Sequence, residues 1–112
     1  MAEINVTYSR VIGGIVTLVG LLGFFNNPVL GILGVNMLSN IVHLLGGLLV
    51  IWQAGRSTNM VLGVVALLVG VIGFIPGLNY IAVTLLGFNT AFHVLHILIG
   101  VVSLGVYYLV EE

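Results

Sequence analysis

The chain has 112 residues, of which 61% are hydrophobic and 4% charged, against roughly 25% charged in soluble globular domains. Its two basic residues, Arg10 and Arg56, form no patch able to neutralise phosphates, so nucleic acid is excluded as a partner. Cysteine is absent, which removes disulfides, thiolate nucleophiles, iron–sulfur clusters and thiolate zinc sites and leaves histidine as the metal or cofactor ligand type.

In chain order, a short polar lead comes first. Its Asn5-Val6-Thr7 triplet fits a glycosylation acceptor pattern, which arises often by chance and here falls on the expected cytoplasmic side. Residues 11–25 form an apolar run followed by Asn26-Asn27-Pro28, not by a small-residue cleavage site, so the run stays as a first transmembrane helix and not a removed signal peptide. Residues 28–35, broken by Gly31 and Gly34, read as a connector at the membrane interface. A second helix is expected over 37–52, ended by the polar stretch Gln53-Ala54-Gly55-Arg56-Ser57-Thr58. Ser57, Thr58 and Asn59 are suitable N-caps for a third helix over 60–75, stopped by Pro76-Gly77. Residues 78–88 repeat the connector at greater length, and 90–110 form a fourth helix with Tyr107 and Tyr108 as interfacial aromatics and Glu111 and Glu112 in water. Trp52 and Tyr80 belong to the same interfacial belt, and Phe24, Phe25, Phe74, Phe88 and Phe92 read as packing or lipid contacts.

At ~1.5 Å per residue the first three spans reach about 22 to 24 Å, short of a hydrocarbon core of roughly 30 Å. The first helix is therefore expected to begin near Ile4, and the apolar connectors to sink into the interface. Arg10 and Arg56 fall on one side of a four-helix arrangement whose other loops carry no Lys or Arg, which places both termini in the cytoplasm of a multi-pass cell-membrane protein.

The chain also reads as two copies of one unit, residues 8–54 and 57–110. Residues 11–24 align without a gap on residues 61–74, with Gly13, Gly20 and Gly23 matching Gly63, Gly70 and Gly73. Gly13 and Gly20, like Gly63 and Gly70, lie seven apart on one helical face, where small residues let helices approach closely in lipid. In the second halves Asn36, Asn40, His43 and Gly47 match Asn89, His93, His96 and Gly100. Their spacing of i, i+4, i+7 and i+11 is one stripe of an α-helix, so these polar groups are expected to face inward. Because each copy crosses the membrane twice, the copies keep one orientation and are expected to be related by an axis along the membrane normal. The fold class is then an all-α integral membrane protein, a single domain over 1–112, with four transmembrane helices as two parallel two-helix repeats.

The leading reading of the stripe is structural: His43, His93, His96 and Asn40 hydrogen-bond one another and nearby carbonyls across the bundle, with Asn36, Asn40 and Asn89 assigned to the polar core. The alternative makes His43 and His96 axial ligands of a haem, or one of them the ligand of a chlorophyll-type pigment, with His93 beside them and Gly46, Gly47 and Gly100 leaving room for the ring. A three-histidine metal site lacks any intramembrane carboxylate to orient it, and so no metal site is assigned. Transport along a polar axis likewise lacks a carboxylate for ion coupling. No arrangement of Cys, buried acid or Ser–His–carboxylate exists from which to build an active site, so the chain is read as non-enzymatic.

The Gly-Phe ending of the first and third helices and the Asn-x-x-x-Asn/His-x-x-His-Leu/Ile-Leu-x-Gly start of the second and fourth resemble a family of small prokaryotic four-helix membrane proteins whose domain has no assigned function. The resemblance covers nearly the whole chain. It places the family's signature on Asn40 and on His43 to Gly47, with His93 replacing the asparagine in the second copy, and it implies the fold and no activity. The function expected is that of a structural or accessory subunit of a homo- or hetero-oligomeric membrane complex, with the lipid bilayer and other membrane helices as its partners.

Overall fold

The computed structural model describes residues 2–111; Met1 lies outside them, as does Glu112, expected in water. Among the described residues the protein is all-α, with five helices and no strand: α1 (Ala2–Gly23), α2 (Met37–Trp52), α3 (Arg56–Ile72), α4 (Asn79–Leu86) and α5 (Thr90–Leu109). Two of them, α1 over Glu3–Gly23 and α5 over Thr90–Leu109, are long and apolar enough to cross a membrane, whereas α2 and α3 are apolar but have 16 and 17 residues.

Helix α1 begins at Ala2, within two residues of its expected start near Ile4, and Asn5 and Ser9 of the polar lead share one face of it, where both bond Asn59. The bounds of α3 differ more from the sequence expectation. Helix α3 starts at Arg56 behind Gly55 with no side-chain cap, and Asn59, expected as a cap, is fully buried inside it. The same helix stops at Ile72, before Pro76-Gly77, and the second connector contains α4, closed by Gly87 in the left-handed conformation (φ 70°) that glycine adopts without Cβ strain.

The helices pack as two antiparallel hairpins, α1 with α2 and α3 with α5. Glycine determines how closely each hairpin closes. A Cβ on Gly13 would stand 2.9 Å from Gly47 O and 2.8 Å from Ile51 Cγ1, and a Cβ on Gly63 would stand 3.1 Å from Gly100 O and 2.8 Å from Leu104 Cγ. One helical stretch further along, Gly20 abuts the backbone at Asn40 and Leu44, as Gly70 abuts it at His93 and Ile97. Backbone thus lies on backbone at both positions of both hairpins, a fit available only where no side chain intervenes.

The hairpins meet where α1 crosses α3 near their N-termini, and again through the connectors. Buried Val29, Val35, Ala82, Phe88 and Phe92 form the apolar core, which sits at the connector end of the bundle and not at its middle. The opposite end, at the 53–55 turn, is held by polar groups. Along the helices most large apolar side chains point outward, including Leu18 (53% exposed), Leu45 (62%), Val65 (53%) and Leu98 (56%).

Candidate functional site

Helices α2 and α5 begin in the same way. Asn36 accepts from Ser39 N at 3.0 Å while Ser39 Oγ accepts from Asn36 N at 2.9 Å, a capping box that satisfies two otherwise orphan donors. Asn89 caps α5 by accepting from Phe92 N at 3.1 Å. Each cap also reaches the other hairpin: Asn36 Nδ2 donates to Leu85 O and Asn89 Nδ2 to Ile32 O, both at 2.8 Å. Asn36 and Asn89 are therefore caps and cross-ties at the helix ends, outside the polar core in which the stripe had placed them. A cap directs its side chain back along its own first turn, so the i, i+4 periodicity does not apply to it.

The remaining stripe residues separate into two pairs. Asn40 lies over Gly23 within the first hairpin and His93 over Gly73 within the second, each filling the hollow that the glycine leaves. Their Asn40 Oδ1 and His93 Nδ1 are buried with no hydrogen-bond partner among the described residues. His93 packs edge-on against Phe74, with ring centroids 5.8 Å apart.

His43 and His96 lie between the hairpins, their ring centroids 5.9 Å apart and their planes 34° from parallel. Phe88 and Phe92 close around them, Phe92 lying 5.2 Å from His43 and 4.6 Å from His96. His96 Nδ1 is 2.7 Å from Phe92 O. A carbonyl only accepts, so Nδ1 carries the proton and, in the neutral ring, Nε2 is a bare acceptor. His43 Nδ1 is buried and unpartnered among the described residues. None of Asn40, His43, His93 and His96 hydrogen-bonds another through its side chain; of the expected network only the bond of His96 to a nearby carbonyl, Phe92 O on its own helix, is present, beside ring stacking and glycine hollows. Left in an apolar surround, each orphan atom costs about 1–3 kcal/mol.

The His43 and His96 rings also line a cleft of about 640 Å³. It runs along the bundle between α2 and α3, from the aromatic cluster at the connector end to Gln53, Ser57 and Thr58 at the turn end. Apart from Ser39, which is bonded to Asn36, its remaining walls are apolar, and Gly46, on the α2 side, leaves open space where a Cβ would stand.

At the turn end sits a polar cluster that the motif pattern did not single out. Asn59 Nδ2 donates to Asn5 Oδ1 at 2.9 Å and to Asn5 O at 3.0 Å, Ser9 Oγ donates to Asn59 Oδ1 at 2.5 Å, and Asn5 Nδ2 donates to Val110 O at 3.1 Å. Gly55 N donates to Ser9 Oγ at 3.1 Å, and the Tyr8 hydroxyl meets Ser103 Oγ at 2.6 Å. Arg56 lays its guanidinium 4.2 Å over the Tyr107 ring and donates from Nε to Tyr107 O at 2.9 Å, drawing that tyrosine out of a purely interfacial role. The available signal was the i, i+4 phase of Asn5 and Ser9 together with Asn59 on an otherwise apolar helix face.

Two cofactor readings can be tested on this geometry. A tetrapyrrole held by His43 and His96 needs a flat slot between the two rings, but their centroids are only 5.9 Å apart, and Phe88 and Phe92 pack beside them within 4.6–5.6 Å of both rings. The residues as placed do not fit a bis-histidine haem. His93 faces Gly73, away from the other pair, and among the described residues no group of three His, Cys, Asp or Glu side chains converges as a metal site requires. No family model, curated protein or solved structure matches the chain, so the family resemblance rests on the signature residues alone.

Proposed function

We propose that the protein is a small non-enzymatic integral membrane protein of four spans, serving as a structural or accessory subunit that assembles with itself or with other membrane helices. The observation that carries this reading is the direction of the apolar side chains. Leu45, Leu98 and their neighbours face outward on every long helix while Asn59, Asn40 and His93 face inward, the inverse of a soluble bundle. In lipid this arrangement is the favourable one, since the outside is already apolar and the inside supplies hydrogen bonds and close backbone contacts. The short α2 and α3 are supplemented by apolar connectors, with Phe25 83% and Leu30 71% exposed, which extend the greasy surface beyond the helix ends.

The two-copy reading has geometric support as well. Equivalent positions meet one another, as they do beside a two-fold axis: Ser9 bonds Asn59 fifty positions on, His43 stacks beside His96, and the Asn36 tie to Leu85 O mirrors the Asn89 tie to Ile32 O. An axis along the membrane normal then relates the hairpins and puts both termini and the 53–55 turn on the cytoplasmic side, together with Arg10 and Arg56.

Labelling tests this directly, because the chain has no cysteine to confuse it. Asn26→Cys is expected to react with a membrane-impermeant maleimide in intact cells, and Ser57→Cys only after lysis. Reaction of both from the same side, or release of the protein by alkaline carbonate, would end the four-span reading. A particle in mild detergent with the protein mass of one 11.8 kDa chain would end the subunit reading.

A further inference from the structure

We infer that the cleft between α2 and α3 binds a hydroxyl-bearing amphiphile, its hydroxyl held by His43 and His96 and its hydrocarbon chain lying along the apolar walls toward the turn end.

Three observations join to give this. The cleft has the size of a small-molecule site, about 640 Å³, within the ~300–1,000 Å³ common for such sites. Between its ends it is apolar, and at its inner end, where the Ser39 hydroxyl is taken up by Asn36, the histidine pair is the polar feature left free to bind. That pair has unused hydrogen-bonding capacity: the Phe92 carbonyl takes the Nδ1 proton of His96 and leaves Nε2 able only to accept, while His43, whose Nδ1 is enclosed, has no hydrogen-bond partner at either ring nitrogen among the described residues. A hydroxyl is complementary to this pair, since it donates one hydrogen to His96 Nε2 and can accept from His43 Nε2–H. A carboxylate would place a charge in an apolar wall with no cation to balance it, and a bare alkane would leave both imidazoles as they are. Phe88 and Phe92 beside the two rings offer aromatic faces on which a flat head group can stack.

Two membrane components share this chemistry, a quinol with its isoprenoid tail and a long-chain alcohol. The membrane assignment proposed above bears only on where such a ligand comes from, because binding is measured on the whole protein in detergent. The probes are decylubiquinol, dodecan-1-ol and dodecane, titrated calorimetrically, with the imidazole 15N resonances recorded in parallel. The expected result is that the hydroxylated probes bind at least tenfold more tightly than dodecane and move the His96 Nε2 resonance. Tighter binding of decylubiquinol than of dodecan-1-ol identifies the aromatic head as the natural chemistry, and equal binding identifies the alcohol.

His96→Phe and His43→Phe keep a ring in the aromatic cluster and remove its nitrogens; each is expected to lower the hydroxylated probes' affinity tenfold or more and to leave dodecane unaffected. Gly46→Leu projects into open space at the cleft wall and is expected to abolish binding of all three probes while the protein stays folded. Dodecane binding as tightly as the alcohols, unchanged affinity in both histidine variants, or binding that survives Gly46→Leu would each overturn the inference. So would failure of every probe to bind, which would leave the imidazoles to water.

Discussion

At the turn end, Asn5, Ser9 and Asn59 bury their side-chain polar atoms against one another and against the Gly55 and Val110 backbone; at the connector end, Asn40, His43 and His93 each bury an atom with no partner among the described residues. Both regions place polar groups in an apolar bundle, yet only in the first do the buried ones act as a fastening. Its bonds join α1 to α3, to the turn and to the end of α5, so each one resists separation of the hairpins. The connector end is closed instead by glycine hollows, stacked rings and two asparagine cross-ties. A polar group that is already satisfied is available only for structure, whereas one that is unsatisfied beside a cleft retains capacity for a ligand.

That contrast can be broken most heavily where backbone meets backbone. Gly70→Leu puts its Cβ 2.8 Å from His93 O and Ile97 N, neither of which can move without opening the hairpin, and it is expected to destabilise the protein by about 3 kcal/mol or more. Equilibrium unfolding in mixed SDS and dodecylmaltoside micelles measures this; a loss under ~1 kcal/mol would show that the connector end is not held by close packing.

Asn59→Leu removes the hub of the turn-end cluster, taking from Asn5 two bonds and from Ser9 one while their contacts to Val110 and Gly55 remain. With three bonds lost at ~0.6 kcal/mol or more apiece, about 2 kcal/mol is expected in the same assay. An unchanged midpoint would remove the distinction between the two ends.

The cross-ties come next. Asn36→Ala and Asn89→Ala each forfeit a cap worth about 1 kcal/mol, and the two are expected to cost similar amounts because their bonding is the same in kind. A variant with both changes tests whether the ties act together; costs that simply add would make them independent caps.

The smallest effect is expected for Asn40→Leu. It replaces a side chain whose amide oxygen is orphaned by an apolar group of similar shape, and substitutions of that kind are near neutral or slightly stabilising. A loss above ~1 kcal/mol would mean that Asn40 has a polar partner in the folded protein, and the contrast between the ends would then be one of degree.

Several features were legible in the residues before any fold was known. The glycine spacing at 13, 20, 63 and 70 is a property of the sequence, and so is the matching of Asn36, Asn40 and His43 to Asn89, His93 and His96. The bounds of α2 could be read closely because Asn36 and Gln53 are clear local stop signals on either side of an apolar run. The start of α1 could be read only in part, since Asn5 and Ser9 look like a solvated lead until Asn59 is brought beside them. Helix α4 was hidden because its apolar residues carry no periodic signal strong enough to separate an eight-residue helix from a connector.

By itself the sequence determined the all-α class, the long apolar helices and the matching of residues along its two halves, because hydropathy, period and small-residue spacing are local properties of a chain. Only the tertiary structure decided that the stripe of asparagine and histidine divides into caps, hollow-fillers and a stacked pair. The residues of one helical stripe share a direction and no more; what each meets depends on the neighbouring helix. Gly23 and Gly73 draw Asn40 and His93 into their own hairpins, while Phe88 and Phe92 gather His43 and His96 at the cleft between them.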